Sequence, residues 1–194
     1  MAGTITAILL AAGAAARFGG DKLLYPLEDG VAIGAHAARN LIAAGLEVVA
    51  VVKAGDFPLY DMFEQEGCSV TFFPHADRGM GASLAHGVQS ARNADGWVVA
   101  LGDMPRIQPD TIRLVAQALT DGAEIVAPAY RGERGHPVGF GARFRDELMA
   151  LSGDRGARAL LERHREAIRL IECDDAGVLY DIDRRSDIPH DGQR

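Results

Sequence analysis

Five short, almost unbroken apolar runs recur along the chain: 5–10 (ITAILL), 47–52 (EVVAVV), 69–73 (SVTFF), 97–101 (WVVAL) and 124–128 (EIVAP). A strand with one wet face alternates apolar and polar residues. These do not alternate, so they suit strands covered on both sides. Between them, residues 32–44, 57–66, 82–92 and 109–120 carry Ala, Leu and charge at helical spacing, and Pro109 with Asp110 forms a helix start. That alternation predicts an α/β fold, a mostly parallel sheet with helices on both faces. Beyond residue 129 the pattern loosens into a Gly-rich turn (YRGERGHPVGFG), helical stretches near 142–150 and 154–165, a strand at 168–172 and a polar tail.

Composition removes several classes of function. At 194 residues, 48% hydrophobic and 24% charged, the chain reads as a single domain, 1–194, able to bury about 70% of its unfolded surface. A net charge of −7 argues against nucleic acid or an anionic membrane as partner, since both call for a basic face. No apolar run reaches the ~18 residues a membrane helix needs, and the first residues lack the basic flank of a signal peptide, so a cytoplasmic location is expected. Cys68 and Cys173 stand far apart without a CxxC partner, which suggests neither a disulfide framework nor a zinc site.

In parallel sheets of this kind ligands gather outside the carboxyl ends of the strands. The first run empties there into AILLAAGAAARFGGDKLL, residues 7–24. Leu10 ends the run, and Ala11, Ala12 and Gly13 leave the backbone nearly uncovered, so that N–H groups there can approach a phosphate and the four residues are candidate nucleotide contacts, while Arg17 and Lys22 supply positive charge just beyond. The spacing fits neither a Walker loop nor the dinucleotide fingerprint. A strand-to-helix turn kept small for packing, with solvated Arg and Lys, is the competing reading. A second feature shifts the balance: VVALGDMPRI, residues 98–107, places Asp103 directly after a buried strand at the same expected edge. A carboxylate there can hold a hard cation such as Mg²⁺ against nucleotide phosphates, although Asp after Gly is also a common turn former.

With these residues in view, the chain resembles the MobA-like nucleotidyltransferases. LAAGAAARFGGDK is similar to their signature of a small-residue loop followed by Arg and Lys, and GMGASLAHGV, LGDMP, RGHPVGF, GDRGARALL and DIDRRSDI follow in the family's order, spanning roughly residues 5–188. The similarity is greatest to molybdenum cofactor cytidylyltransferases. It implies a Rossmann-like three-layer αβα sandwich, Mg²⁺ as cofactor, and transfer of CMP from CTP to the phosphate of molybdopterin-bound molybdenum, with release of pyrophosphate. A recipient molybdoenzyme or its chaperone is the implied protein partner.

The chemistry explains why these residue types are needed. A phosphate monoester is already ionised at neutral pH, so attack on an α-phosphorus needs charge neutralisation and positioning more than a strong base. No Ser-His-Asp or Cys-His constellation is evident in the sequence. Arg17 and Lys22 would hold the triphosphate and Asp103 the metal. By resemblance the second metal carboxylate is Asp183, with Asp181 as the alternative; Arg184 and Arg185 stand where Thr-Pro is common in relatives. Gly79 and Ser83 would meet the nucleoside, with Gly81 and Ala82 replacing serines frequent in relatives. Resemblance also places His136 and Pro137 in a loop beside the acceptor and offers Arg158 to its anionic groups. Asp154 reads as a helix cap. Lys53 reads as solvated, and His36, His86, His164 and His190 lack metal spacing.

Two other functions stay open on sequence alone. One is a guanylyltransferase or a sugar- or polyol-phosphate nucleotidyltransferase of the same fold; the other is a nonenzymatic chaperone for molybdenum cofactor. Ala12 bears on the first, because guanylyl relatives commonly carry Gly-Gly where this chain has AAG, and a methyl there narrows the base pocket.

Overall fold

The computed structural model describes residues 3–13 and 17–188; residues 14–16 of the opening loop and His190 lie outside them. Strands and helices alternate as β1 (Ile5–Leu10), α1 (Ile33–Ala43), β2 (Glu47–Lys53), α2 (Phe57–Gln65), β3 (Ser69–Phe73), α3 (Met80–Ser90), β4 (Gly96–Leu101) and α4 (Pro109–Thr120). The remainder is β5 (Ile125–Tyr130), β6 (Glu133–Arg134), β7 (Val138–Gly141), α5 (Arg145–Met149), α6 (Arg158–Arg163) and β8 (Ile168–Glu172). The eight strands form one sheet in the order β3-β2-β1-β4-β7-β5-β6, with β8 paired to β5.

Alternate residues of the buried strands feed two cores. Ala7, Leu9, Val98 and Ala100 pack with α1, α2 and α4 on one face. Ile8, Trp97 and Val99 pack with α3, α5 and α6 on the other. This is the three-layer αβα sandwich expected from strands without a wet face. The pairing of Leu10 with both Val51 and Leu101 puts the end of β1 between β2 and β4, all three parallel. Among the described residues no helix is long and apolar enough to cross a membrane.

Three expectations need correction. The Gly-rich stretch 130–141 is not a turn throughout: Arg131 (φ 52°) and Gly132 (φ 80°) make a tight left-handed turn between β5 and β6, and β7 then inserts antiparallel between β4 and β5. The signal was hidden because VGFG is short and half glycine. Gly139 is small for a reason, since a Cβ on it would lie 2.9 Å from Leu119 Cδ1 and 3.0 Å from Val115 Cγ1 of α4. Secondly, α3 begins at Met80 rather than 82, capped by Gly79 at φ 89°. Its first turn runs under the 152–153 backbone, where a Cβ on Gly81 would stand 2.7 Å from Ser152 O. Thirdly, α6 starts only at Arg158, with Ala157 as its N-cap and no side-chain cap, so Asp154 does not cap it.

Candidate active site

Backbone pairing continues one residue past the central strands. Ala11 N–H donates to Val51 O at 2.9 Å and Gly102 N–H to Leu10 O at 3.0 Å, so the small-residue loop leaves the sheet between β2 and β4. The cradle is narrower than its three small residues suggest. The Ala11 amide is committed to Val51, whereas among the described residues no hydrogen bond takes the N–H of Ala12 or Gly13. Ala12 is only 7% exposed, its methyl packed in the same cluster as Ala82 of α3.

Asp103 lies just beyond β4, and one hydrogen bond brings the tail to it: Ile182 N–H donates to the Asp103 carbonyl at 2.9 Å. Asp181 and Asp183 flank Ile182 and so are both carried to the end of the strand. One carboxylate oxygen from each of Asp103, Asp181 and Asp183 lies within 4.8 Å of the others. What anchors the tail is apolar. Ile182 is 0% exposed in a cluster with Phe18, Ile33 and Ile188, and the Arg185 guanidinium lies over the rings of Phe18 (5.5 Å) and Tyr25 (5.2 Å).

The loop cations answer this acidic cluster. Lys22 Nζ is 2.7 Å from Asp103 Oδ2 and 3.6 Å from Asp183 Oδ1, and Arg17 Nη1 is 3.0 Å from Asp183 Oδ2. Burial first, and then the charges of Asp103 and Asp183, push the Asp181 carboxyl above its usual range. Oxygen donors alone, gathered this closely and incompletely neutralised by Lys22, fit a hard divalent cation such as Mg²⁺ or Mn²⁺ better than a thiolate-seeking metal.

A cleft of about 770 Å³ runs across this edge. Leu10, Ala11, Ala12, Gly13, Arg17 and Lys22 from the opening stretch line it, together with Gly79, Ser83, Asp103 and Asp183, so most of the residues singled out in the sequence converge. Ser83 is 5% exposed and its hydroxyl donates back to Gly79 O at 3.4 Å. Lys53 is exposed, as a solvated lysine would be, and also lines the cleft.

The acceptor-side candidates are placed differently. His136 and Pro137 do not line this cleft. His136 N–H donates to Val178 O at 2.9 Å and its Nδ1 is buried without a hydrogen-bond partner. Burial chiefly, with the Arg134 charge, holds the imidazole below its ordinary range, while the nearby Asp103 charge opposes the shift. Arg158 turns away from the cleft to Glu162, Nε to Oε1 at 3.1 Å. Sequence reasoning missed Ile182 and Arg185 as anchors and Asp154 as a lining residue; nothing in their spacing marks contacts made only by the folded chain.

The class these features define is that of the nucleotidyltransferases, enzymes that must hold a triphosphate against a second anion. The chain belongs to the MobA-like NTP transferase domain family, which matches residues 7–168. It is 29% identical over 187 residues to the purine catabolism protein PucB of Bacillus subtilis, spanning 91% of this chain and 90% of that protein. With the nicotine blue oxidoreductase of Paenarthrobacter nicotinovorans it shares 30% identity over 188 residues, 92% of each. Among solved structures, Rv0371c of Mycobacterium tuberculosis superposes with a TM-score of 0.84 at 29% identity, covering 96% of both chains. A complex of Rv0371c with manganese superposes with a TM-score of 0.79 at 28% identity over 95% of each.

Proposed function

We propose that this nucleotidyltransferase transfers CMP from CTP to the terminal phosphate of a molybdopterin cofactor and releases pyrophosphate. The observation that carries the nucleotide is that Ala12, 7% exposed, lines the cleft where a glycine would leave more space; in this reading its methyl leaves room for a pyrimidine and crowds a purine. For the acceptor, support comes from the sequence resemblance to molybdenum cofactor cytidylyltransferases. Two relatives named for purine catabolism and for nicotine blue, both nitrogen-heterocycle chemistry, accord with it. The second relative's name carries an oxidoreductase activity. In this chain the clustering of cations and carboxylates at one cleft favours nucleotidyl transfer.

In this reading the Ala12 and Gly13 amides, Arg17 and Lys22 bind the triphosphate. Lys22 exchanges its carboxylate partners for phosphate oxygens, and the acceptor phosphate oxygen forms a bond to the α-phosphorus as the bond to pyrophosphate breaks. Asp103 and Asp183, with Asp181 beside them, would hold Mg²⁺, which when bound supplies charge neutralisation between the two anions. Gly79 and Ser83 border the nucleoside. His136, Pro137 and Arg158 remain proposed acceptor contacts on resemblance alone.

The test is pyrophosphate release with CTP, GTP, ATP and UTP, each with and without molybdenum cofactor and Mg²⁺. Release that requires CTP, cofactor and metal together is expected. Turnover with GTP instead would make the chain a guanylyltransferase, turnover only with a sugar or polyol phosphate would move it to another acceptor class, and cofactor binding without any release would make it a chaperone.

A further inference from the structure

Asp154, expected to cap a helix, instead lines the nucleotide cleft. It is held there by backbone. Gly81 N–H donates to Gly153 O at 2.8 Å and Gly153 N–H to Arg78 O at 3.0 Å, so the 152–154 loop is clamped across the first turn of α3. The fit is so close that any Cβ on Gly79 would collide with the Gly153 backbone and with Asp154 Oδ1. Of the other carboxylates of the cleft, Asp103 and Asp183 meet Lys22 and Arg17, Asp56 caps α2 through Leu59 N–H, and Asp21 is an exposed residue next to Lys22 in the opening stretch. Among the described residues, no hydrogen bond or ion pair of the Asp154 carboxylate is found. It therefore presents free acceptor oxygens to the cleft that Gly79, Ser83 and Ala12 also line.

We propose that Asp154 is a specificity residue that reads the exocyclic amino group of the nucleobase, accepting CTP and rejecting UTP. The inference rests on the CTP reading above and deepens it. An ionised carboxylate only accepts hydrogen bonds. Cytosine offers it a donor at N4, the pairing by which Asp and Glu recognise cytosine elsewhere, whereas uracil sets a carbonyl oxygen at that position and meets lone-pair repulsion. The two walls then select on different properties, Ala12 on the size of the base and Asp154 on its edge. Shape alone cannot separate cytosine from uracil, which have nearly the same outline, so a polar reader is required if the enzyme distinguishes them.

The experiment compares kcat/KM for CTP and UTP in the wild type, Asp154→Asn and Asp154→Ala, with the same acceptor and saturating Mg²⁺, alongside calorimetric binding of each nucleotide. The wild type should favour CTP by about 100-fold. Asp154→Asn keeps the shape but can turn an N–H₂ toward uracil, so the CTP:UTP ratio should fall about tenfold or more, with UTP use rising in absolute terms, a gain that damaged folding does not produce. Asp154→Ala should lose CTP affinity and relieve the repulsion of UTP, so that the CTP:UTP ratio falls toward unity with no new hydrogen bond to uracil. A wild type that prefers CTP with a ratio unmoved in both variants, or variants that change only the acceptor KM, would overturn the role of Asp154 and leave the CTP reading standing. A wild type that does not use CTP would overturn that reading and this inference with it.

Discussion

Lys22 Nζ lies 2.7 Å from Asp103 Oδ2, joining the loop after β1 to the end of β4 in a largely buried pair, the side chains 12% and 22% exposed. The contact has two incompatible uses for one ammonium. While it neutralises carboxylates it is not on a phosphate, and a divalent ion bound to Asp103 would compete with it. Lys22→Ala should therefore act with opposite signs on two ligands: Mn²⁺ alone binds about tenfold more tightly, and CTP less tightly with slower transfer. Lys22→Arg should restore only part of the rate, because a planar fork replaces a point charge. Calorimetry with each ligand checks this; equal weakening of both would mean that the pair is merely structural.

Removing the strand carboxylate should abolish the metal response. Asp103→Asn preserves shape, so its melting temperature without metal should stay close to that of the wild type, while the stabilisation by Mg²⁺ or Mn²⁺ disappears and turnover falls by orders of magnitude. Thermal melts with and without the ion, beside a pyrophosphate assay, give both readings.

Ala12→Gly should relax base selection. Opening the space of one methyl is worth about 1–3 kcal/mol of discrimination, so the CTP:GTP ratio of kcat/KM should fall without full reversal, since no new hydrogen bonds to guanine are created. An unmoved ratio would separate Ala12 from the base.

The tail anchor gives a prediction at a distance from the ion. Arg185 meets Phe18 and Tyr25 but belongs to no carboxylate cluster. Loss of its two ring contacts in Arg185→Ala should loosen Asp181 and Asp183 and lower Mn²⁺ affinity about fivefold, while the circular dichroism of the sheet stays unchanged. Titration of free Mn²⁺ by electron paramagnetic resonance would measure it.

Acid sensitivity should be traceable to two histidines. Burial holds His86 and His136 below the ordinary histidine value of 6.5. Above that value both the folded and unfolded chains carry neutral rings and nothing is gained or lost. As pH falls through it, the unfolded chain takes protons the folded one refuses, so stability declines until the lowered values are passed. His86→Gln can keep a hydrogen bond to Thr71, now 2.8 Å from Nε2, and should flatten part of the decline in urea midpoint between about pH 7 and pH 5, His136 supplying the rest.

The repeating layers were legible because buried strands and amphipathic helices leave periodic marks. Runs such as ITAILL and WVVAL match β1 and β4 to within a residue. The edge where ligands gather followed from parallel order, and Arg17, Lys22 and Asp103 followed from being charges set just past buried strands. Asp183 was reached only through family resemblance, since its approach to Asp103 depends on one tail hydrogen bond and the burial of Ile182. Asp154 was misread because an Asp ahead of RGARALL looks like a cap, whereas the loop is claimed by the first turn of α3. β7 escaped because Gly139 serves the approach of α4 rather than strand propensity.

The antiparallel β7 also sets a vulnerability during folding. It seals the outer edge of β4, yet it comes from a segment that follows β5 in the chain. Until it docks, the row of N–H and C=O groups along Gly96–Val99 faces outward from the most apolar part of the sheet, open to the strands of other molecules. Recovery from denaturant should thus depend on protein concentration at the stage when β1–β4 have formed and the seal has not. The strand that leads into Asp103 is also the one on which self-association would begin.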